Sequence, residues 1–226
     1  MCATPARGVP FVCSWSGGKD SCLALYRAIQ AGAKPIFLLS MLREDGARSR
    51  SHGLVPGVLE AQEASLGISL LTRTASWATY ESVFVAALRE LRASGVEAGV
   101  FGDIDIAEHR LWEEQVCAAA GLEAHLPLWQ ADRLALVDEF LSLGFEALIV
   151  VANAEKLGQA YLGRALGRDL VREFARMGVD PSGEEGEYHT VVTNGPIFSE
   201  PVQLETGRQV LHSGYWFLDV RVKRKA

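Results

Sequence analysis

Four cysteines are scattered through 226 residues, at positions 2, 13, 22 and 117, and none forms a C-x-x-C pair or another zinc-ligand spacing. That removes the case for a disulfide framework or a structural zinc site. The thiols read as reduced, two of them in the core of a cytoplasmic protein. Positive charge is short as well: 22 Lys and Arg face 28 Asp and Glu, for a net charge of −6. Nonspecific nucleic-acid binding needs the opposite balance, because cations must replace the counterions of the phosphate backbone. The one basic run, residues 221–225, reads as a solvated tail. No apolar stretch approaches the length of a membrane span. The first ten residues, with Pro5, Arg7, Gly8 and Pro10, lack the apolar centre of a signal peptide. Neither G-x-x-x-x-G-K-[ST] nor G-x-G-x-x-G occurs, which disfavours kinase-type γ-phosphate transfer and a dinucleotide site. Internal repeats and low-complexity segments are absent.

What is there is a globular composition, 49% hydrophobic and 22% charged, arranged as short apolar runs alternating with amphipathic ones. Strands are expected over 11–13, 36–42, 68–72, 99–101, 123–127 and 147–151, with helices over 20–31, 58–66, 80–93, 108–120 and 133–143. Gly32 reads as the stop of the first helix. Such alternation implies an α/β fold with a doubly wound parallel sheet covered on both faces. Past residue 153 the texture changes to a helix over 169–177, a Gly- and Glu-rich loop over 178–189, and β-like runs at 190–193, 202–205 and 215–222. This second part is expected to be a smaller α+β lobe, giving domains 1–128 and 129–226 with the boundary somewhere between 105 and 130.

The strongest local signal is Ser16-Gly17-Gly18-Lys19-Asp20-Ser21, placed after a buried strand and before an amphipathic helix. Two glycines let backbone approach a ligand closely. The first turn of a helix offers unpaired N–H groups and a dipole that favours negative charge. Ser16 and Ser21 add hydroxyl donors and Lys19 a mobile cation, so the loop suits a pyrophosphate group. An ordinary tight turn capped by Ser and Asp is the competing reading. Asp20 is a candidate Mg²⁺ ligand, since that ion favours one or two carboxylates together with phosphate oxygens.

These six residues resemble the PP-loop of the ATP pyrophosphatase (adenine nucleotide α-hydrolase) superfamily, whose members activate a carboxyl or carbonyl oxygen by adenylation. Further stretches narrow the resemblance: Gly102-Asp103-Ile104, Glu108-His109-Arg110 with Trp112, Pro127-Leu128-Trp129, His52 within 49–54, and the string from Gly183 to Thr190. Together, over about residues 11–205, they resemble the diphthine–ammonia ligase family. The resemblance implies the adenine nucleotide α-hydrolase-like (HUP) fold, ATP and Mg²⁺. It also implies an AMP- and pyrophosphate-forming carbon–nitrogen ligase that turns a carboxylate into an amide with ammonia. Its acceptor would be diphthine on elongation factor 2 if the source is archaeal or eukaryotic, and another carboxylate otherwise. A homodimer is left open; membrane and nucleic-acid partners are not expected.

Lys19, Asp20, Glu184, Glu187 and His189 are then the expected catalytic residues. His52, Asp103, Glu108, His109, Trp129, Gly183, Gly186 and Thr190 are expected to bind substrate. Read physically, 183–190 gathers three carboxylates and an imidazole between glycines, which suits ammonium capture with Glu187 or His189 as the base. A charged surface loop is the alternative. Ser182 stands where similar sequences often carry Cys, so no thiol chemistry is assigned to this loop. Asp103 suits a substrate hydrogen bond, a Mg²⁺ ligand or a helix N-cap. Glu108, His109 and Arg110 are consecutive and cannot all face one site on a helix. Trp129 suits either stacking or simple burial, Arg48 and Arg50 suit phosphate or a substrate carboxylate, and His125 and His212 read as structural. Three rivals remain: a PP-loop enzyme acting on a small metabolite or on tRNA, the latter expected to carry paired cysteines or a basic surface that this chain does not supply; a glutamine amidotransferase using Cys2, for which no glutaminase domain has room; and a non-catalytic nucleotide-binding module.

Overall fold

The computed structural model describes residues 4–223. Cys2 and the last part of the basic run lie outside the described residues. The elements are β1 (Pro10–Ser14), α1 (Lys19–Gln30), β2 (Lys34–Leu42), α2 (Pro56–Leu66), β3 (Ser69–Thr74), α3 (Tyr80–Ala93), β4 (Ala98–Val100), α4 (Ala107–Ala120) and β5 (Glu123–His125). They are followed by α5 (Arg133–Ser142), β6 (Glu146–Asn153), α6 (Arg168–Met177), β7 (Tyr188–Asn194), β8 (Leu204–His212) and β9 (Tyr215–Val222).

The chain forms two compact units, and the division is not a single cut. One unit holds the segments ending at Ser16, Asp20–Ser49 and Gly67–Ala131; the other holds Gly17–Lys19, Arg50–Leu66 and the chain from Asp132 onward. Wherever a cut is drawn near residue 128, segments 17–19 and 50–66 group with the C-terminal half.

In the first unit, β1–β5 form a parallel sheet in the order β3-β2-β1-β4-β5. The chain winds outward from β1 through β2 and β3, then returns to add β4 and β5 on the other side, which is the expected doubly wound arrangement. Alternate residues of a strand point to opposite faces. Val12, Leu39 and Met41 join Phe84, Leu88 and Leu91 of α3 and Val116 and Cys117 of α4 in one buried cluster. Cys13 points the other way, with its thiol 3.7 Å from the Ser21 carbonyl on α1. Cys13, Cys22 and Cys117 are all fully buried, and burial pushes their thiols well above the ordinary range. They pack as small apolar groups.

The second unit is built on an antiparallel sheet in the order β7-β6-β9-β8. β6 continues the strand–helix alternation in sequence yet lies inside this sheet, flanked by β7 and β9. Flanked on both sides, it is buried through Ala147, Ile149, Val150, Val151 and Ala152, the pattern a buried parallel strand would also show. α2 links β2 to β3 but packs against β9. No helix among the described residues is long and apolar enough to cross a membrane.

Candidate active site

β1 is the central strand of the parallel sheet, and the Ser16–Ser21 loop leaves its carboxyl end, where sheets of this type present ligands. The Ser16 and Ser21 hydroxyls lie 3.0 Å apart. The two glycines are required by their protein neighbours in the second unit. Gly17 has φ of 79°, and a Cβ there would sit 2.8 Å from Gln62 Oε1 and 2.9 Å from Leu54 Cδ1. A Cβ on Gly18 would sit 2.9 Å from His52 Cε1 and 3.2 Å from the Thr190 carbonyl oxygen.

Within that second unit three distant stretches of sequence meet. The Lys19 backbone N–H donates to Thr190 Oγ1 at 3.1 Å, so one amide of the helix start already has its acceptor. The Gly17 carbonyl accepts from the Val192 N–H at 2.9 Å and from the side-chain amide of Gln62 at 3.0 Å. Gln62 is fully buried and donates also to the Val192 carbonyl at 2.8 Å. Nothing in the sequence singles out Gln62, which looks like one more polar residue on an amphipathic helix. Lys19 is buried, with its Nζ 5.8 Å from the Tyr188 ring centroid. The rings of His52 and His189 meet edge to face, centroids 4.7 Å apart. Burial, with the His52 and Lys19 charges adding to it, holds the His189 imidazole well below its usual pKa, so it is neutral at pH 7. The structure thus brings the loop glycines and Lys19 together with His52, His189 and Thr190.

The acidic segment before β7 is a closed turn tied by two carboxylates. Asp180 accepts from the Ser182 N–H and hydroxyl at 2.9 and 2.8 Å, from the Glu184 N–H at 3.3 Å, and from Arg133 at 2.7 Å. Glu187 is buried and accepts from Lys156 Nζ at 2.9 Å and from the Glu185 N–H at 3.0 Å. The hydrogen bond to Glu187 raises the Lys156 pKa, outweighing partial desolvation. Gly183 and Gly186 both have φ of 75°, which lets the chain turn back tightly enough to make these bonds.

In the first unit, β4 runs beside β1 and ends against the start of α1. A Cβ on Gly102 would lie 2.7 Å from both the Asp20 carbonyl carbon and the Ser21 nitrogen, so only glycine permits this approach. Asp103 follows. It is not the cap of α4, a position held by Ile106; its Oδ1 instead lies 2.6 Å from His109 Nδ1. Glu113, one helical turn beyond His109, is buried at 4% exposure, and its Oε2 has no hydrogen-bond partner. Burial alone would raise Asp103, but hydrogen bonds from His109 and Glu113 and the His109 charge outweigh it and lower its pKa. Glu113 is pushed up to about 11, by burial first and then by the Asp103 charge. Glu108 points into solvent, and Arg110 pairs with Glu114 at 2.7 Å while its guanidinium lies 5.1 Å from the Trp129 ring centroid. One face of Trp129 is therefore covered by protein. His125 is buried, and His212 is exposed at the end of β8. Among the described residues no group of three or more His, Cys, Asp or Glu is arranged to hold a metal ion.

A five-stranded parallel sheet with an S-G-G-K-D-S loop at the carboxyl end of its central strand defines a PP-loop, ATP-binding fold. Family comparison agrees: residues 11–124 match the diphthamide synthase N-terminal domain and residues 132–225 the diphthamide synthase C-terminal domain. The chain belongs to the diphthamide synthase family. It is similar to the diphthine–ammonia ligase of Danio rerio, 26% identical over 91% of this chain and 90% of the relative. It is also similar to that of Rattus norvegicus, 28% identical over 92% of this chain and 88% of the relative. A match to the diphthine–ammonia ligase of Schizosaccharomyces pombe, 26% identical, takes in 92% of this chain but 38% of that longer protein.

Proposed function

We propose that this protein is an ATP-dependent amide ligase that adenylates a carboxylate, releases pyrophosphate, and lets ammonia displace AMP. The observation that carries the reading is the Lys19 N–H to Thr190 Oγ1 bond, which joins residues 171 positions apart and sets the phosphate loop against the strand that bears His189. A pyrophosphate-binding loop alone indicates ATP use. Its direct hydrogen bond to the strand carrying a neutral imidazole adds a base to the same unit.

In this reading Ser16, Gly17, Gly18, Lys19, Asp20 and Ser21 hold the ATP phosphates, with the Lys19 ammonium offsetting charge that builds on the departing pyrophosphate. Asp20 fits Mg²⁺, because a single carboxylate beside phosphate oxygens is the donor set that ion accepts; bound there, it would neutralise phosphate charge. His189 takes a proton from the attacking nitrogen, which becomes acidic as its bond to carbon forms. Glu187, engaged by Lys156, positions the turn instead of acting as the base, and Glu184 remains the carboxylate for the ammonium ion. His52 and Thr190 border the substrate in the second unit. Diphthine is the acceptor favoured by the names of the relatives, its place on elongation factor 2 being what the family resemblance implies, and the reduced, buried thiols accord with a cytoplasmic location.

The test is ¹⁵N-ammonium with ATP, Mg²⁺ and diphthine-bearing elongation factor 2. The label should enter the acceptor as an amide, and Lys19→Ala should lower the rate about 100-fold or more. Consumption of ATP with no label in the acceptor would overturn the reading.

A further inference from the structure

α2 buries one face through Val58, Leu59, Gln62 and Ser65. Position 62 lies in the middle of that stripe, where an apolar side chain would pack without losing hydration. A buried amide is tolerated there only when its polar atoms are paired. Both of its amide hydrogens are used: Gln62 Nε2 lies 3.0 Å from the Gly17 carbonyl oxygen and 2.8 Å from that of Val192. The Val192 N–H in turn donates to the same Gly17 oxygen at 2.9 Å. One helix side chain and one strand residue therefore close a ring of hydrogen bonds on a single carbonyl of the nucleotide loop, all within the second unit.

We propose that Gln62 is a positioning residue for nucleotide binding, keeping the Gly17 carbonyl turned into the protein and away from the ATP phosphates. The inference rests on the reading of residues 16–21 as the phosphate loop. A peptide unit is planar and turns as a whole, by coupled rotation about the bonds that flank it, here ψ of Gly17 and φ of Gly18. Both flanking residues are glycine, so neither has a Cβ to resist the turn, and Gly17 already has φ of 79°. No other peptide of this loop has glycine on both sides.

Gln62 is fully buried, so an oxygen held against it faces no ligand. Turned over, the same oxygen would carry the negative end of the peptide dipole toward the phosphates and repel them. A carbonyl oxygen has two lone pairs. The Val192 N–H engages one, and Gln62 engages the other and fixes the direction of both. A larger residue at position 17 could not stiffen the loop instead, since a Cβ there would lie 2.8 Å from Gln62 Oε1. Packing demands glycine, glycine leaves the peptide free to turn, and the Gln62 amide removes that freedom.

The experiment compares wild type with Gln62→Met, which keeps the length of the side chain and loses both donors, in the full-length protein. The readouts are affinity for ATP, affinity for adenosine, which carries no phosphate, and the ¹³C shift of the Gly17 carbonyl. Gln62→Met should weaken ATP binding about tenfold or more while adenosine affinity stays within about twofold of wild type. The Gly17 carbonyl signal should move upfield as its oxygen loses a donor. A general loosening of the fold would weaken both ligands alike, and that result overturns the proposal. So does a folded Gln62→Met that binds ATP as wild type does, or one that keeps the Gly17 shift. If Gln62→Met does not fold, Gln62→Glu takes its place: its acid form offers one hydrogen to the two carbonyls and its ionised form none. The same selective loss of ATP is expected there, and wild-type ATP affinity is equally fatal. If wild type binds no ATP, the phosphate-loop reading fails, while the carbonyl shift still decides whether Gln62 holds the peptide.

Discussion

His189 is held neutral by burial and by the neighbouring charges of His52 and Lys19. The unfolded chain protonates this residue near 6.5, whereas the folded protein resists protonation to a lower pH. Between those values the unfolded state binds more protons, so stability rises with pH there. The contribution is complete above about 6.5 and is lost as pH falls toward the folded value. Thermal unfolding followed from pH 7.5 to 5.5 should therefore show a falling Tm in the wild type and a flatter profile in His189→Gln. Equal slopes would mean that His189 is not held neutral. At this scale the sequence was uneven in what it showed. Lys19 and its glycines are legible because a strand, a tight turn and a helix start leave little other use for that string. Glu113 and Gln62 are not, because polar residues on amphipathic helices are ordinarily solvated, and only the fold shows that these two are buried.

Among the elements, β7 matters most, because it enters hydrogen bonding with the phosphate loop through Thr190 and Val192. Thr190→Val keeps the side chain's shape but leaves the buried Lys19 N–H without an acceptor, at a cost of about 1–3 kcal/mol. A lower Tm and weaker ATP binding are expected, with Thr190→Ser close to wild type. A Thr190→Val protein that matches wild type in both thermal unfolding and ATP titration would show that the contact does not order the loop. Helices and buried strands are legible from their apolar periodicity; α3 and β9 begin and end where the sequence pattern places them. The sequence pattern marks β8 only over 202–205, although it runs Leu204–His212. It is an edge strand exposed along nearly its whole length, with Gly207 inside it, and therefore lacks the alternation that marks a half-buried strand. β6 shows the opposite difficulty. A strand buried in the middle of an antiparallel sheet looks, in sequence, like one from a parallel sheet.

For the whole molecule, each unit gathers candidate site residues that the linear order separates. The first sets Gly102 against Asp20 and Ser21. The second sets Gly17–Lys19 against His52, Gln62 and the 188–192 strand. That interleaving could not be read from the sequence, because no local pattern announces that 50–66 leaves the parallel sheet to pack with the C-terminal half. In the proposed reaction ATP is cleaved between its α- and β-phosphates. ³¹P NMR of a reaction containing the protein, ATP, Mg²⁺, ammonium and diphthine-bearing elongation factor 2 tests it most directly. Equal amounts of AMP and pyrophosphate should accumulate in step with the acceptor amide; ADP and inorganic phosphate in their place would contradict it.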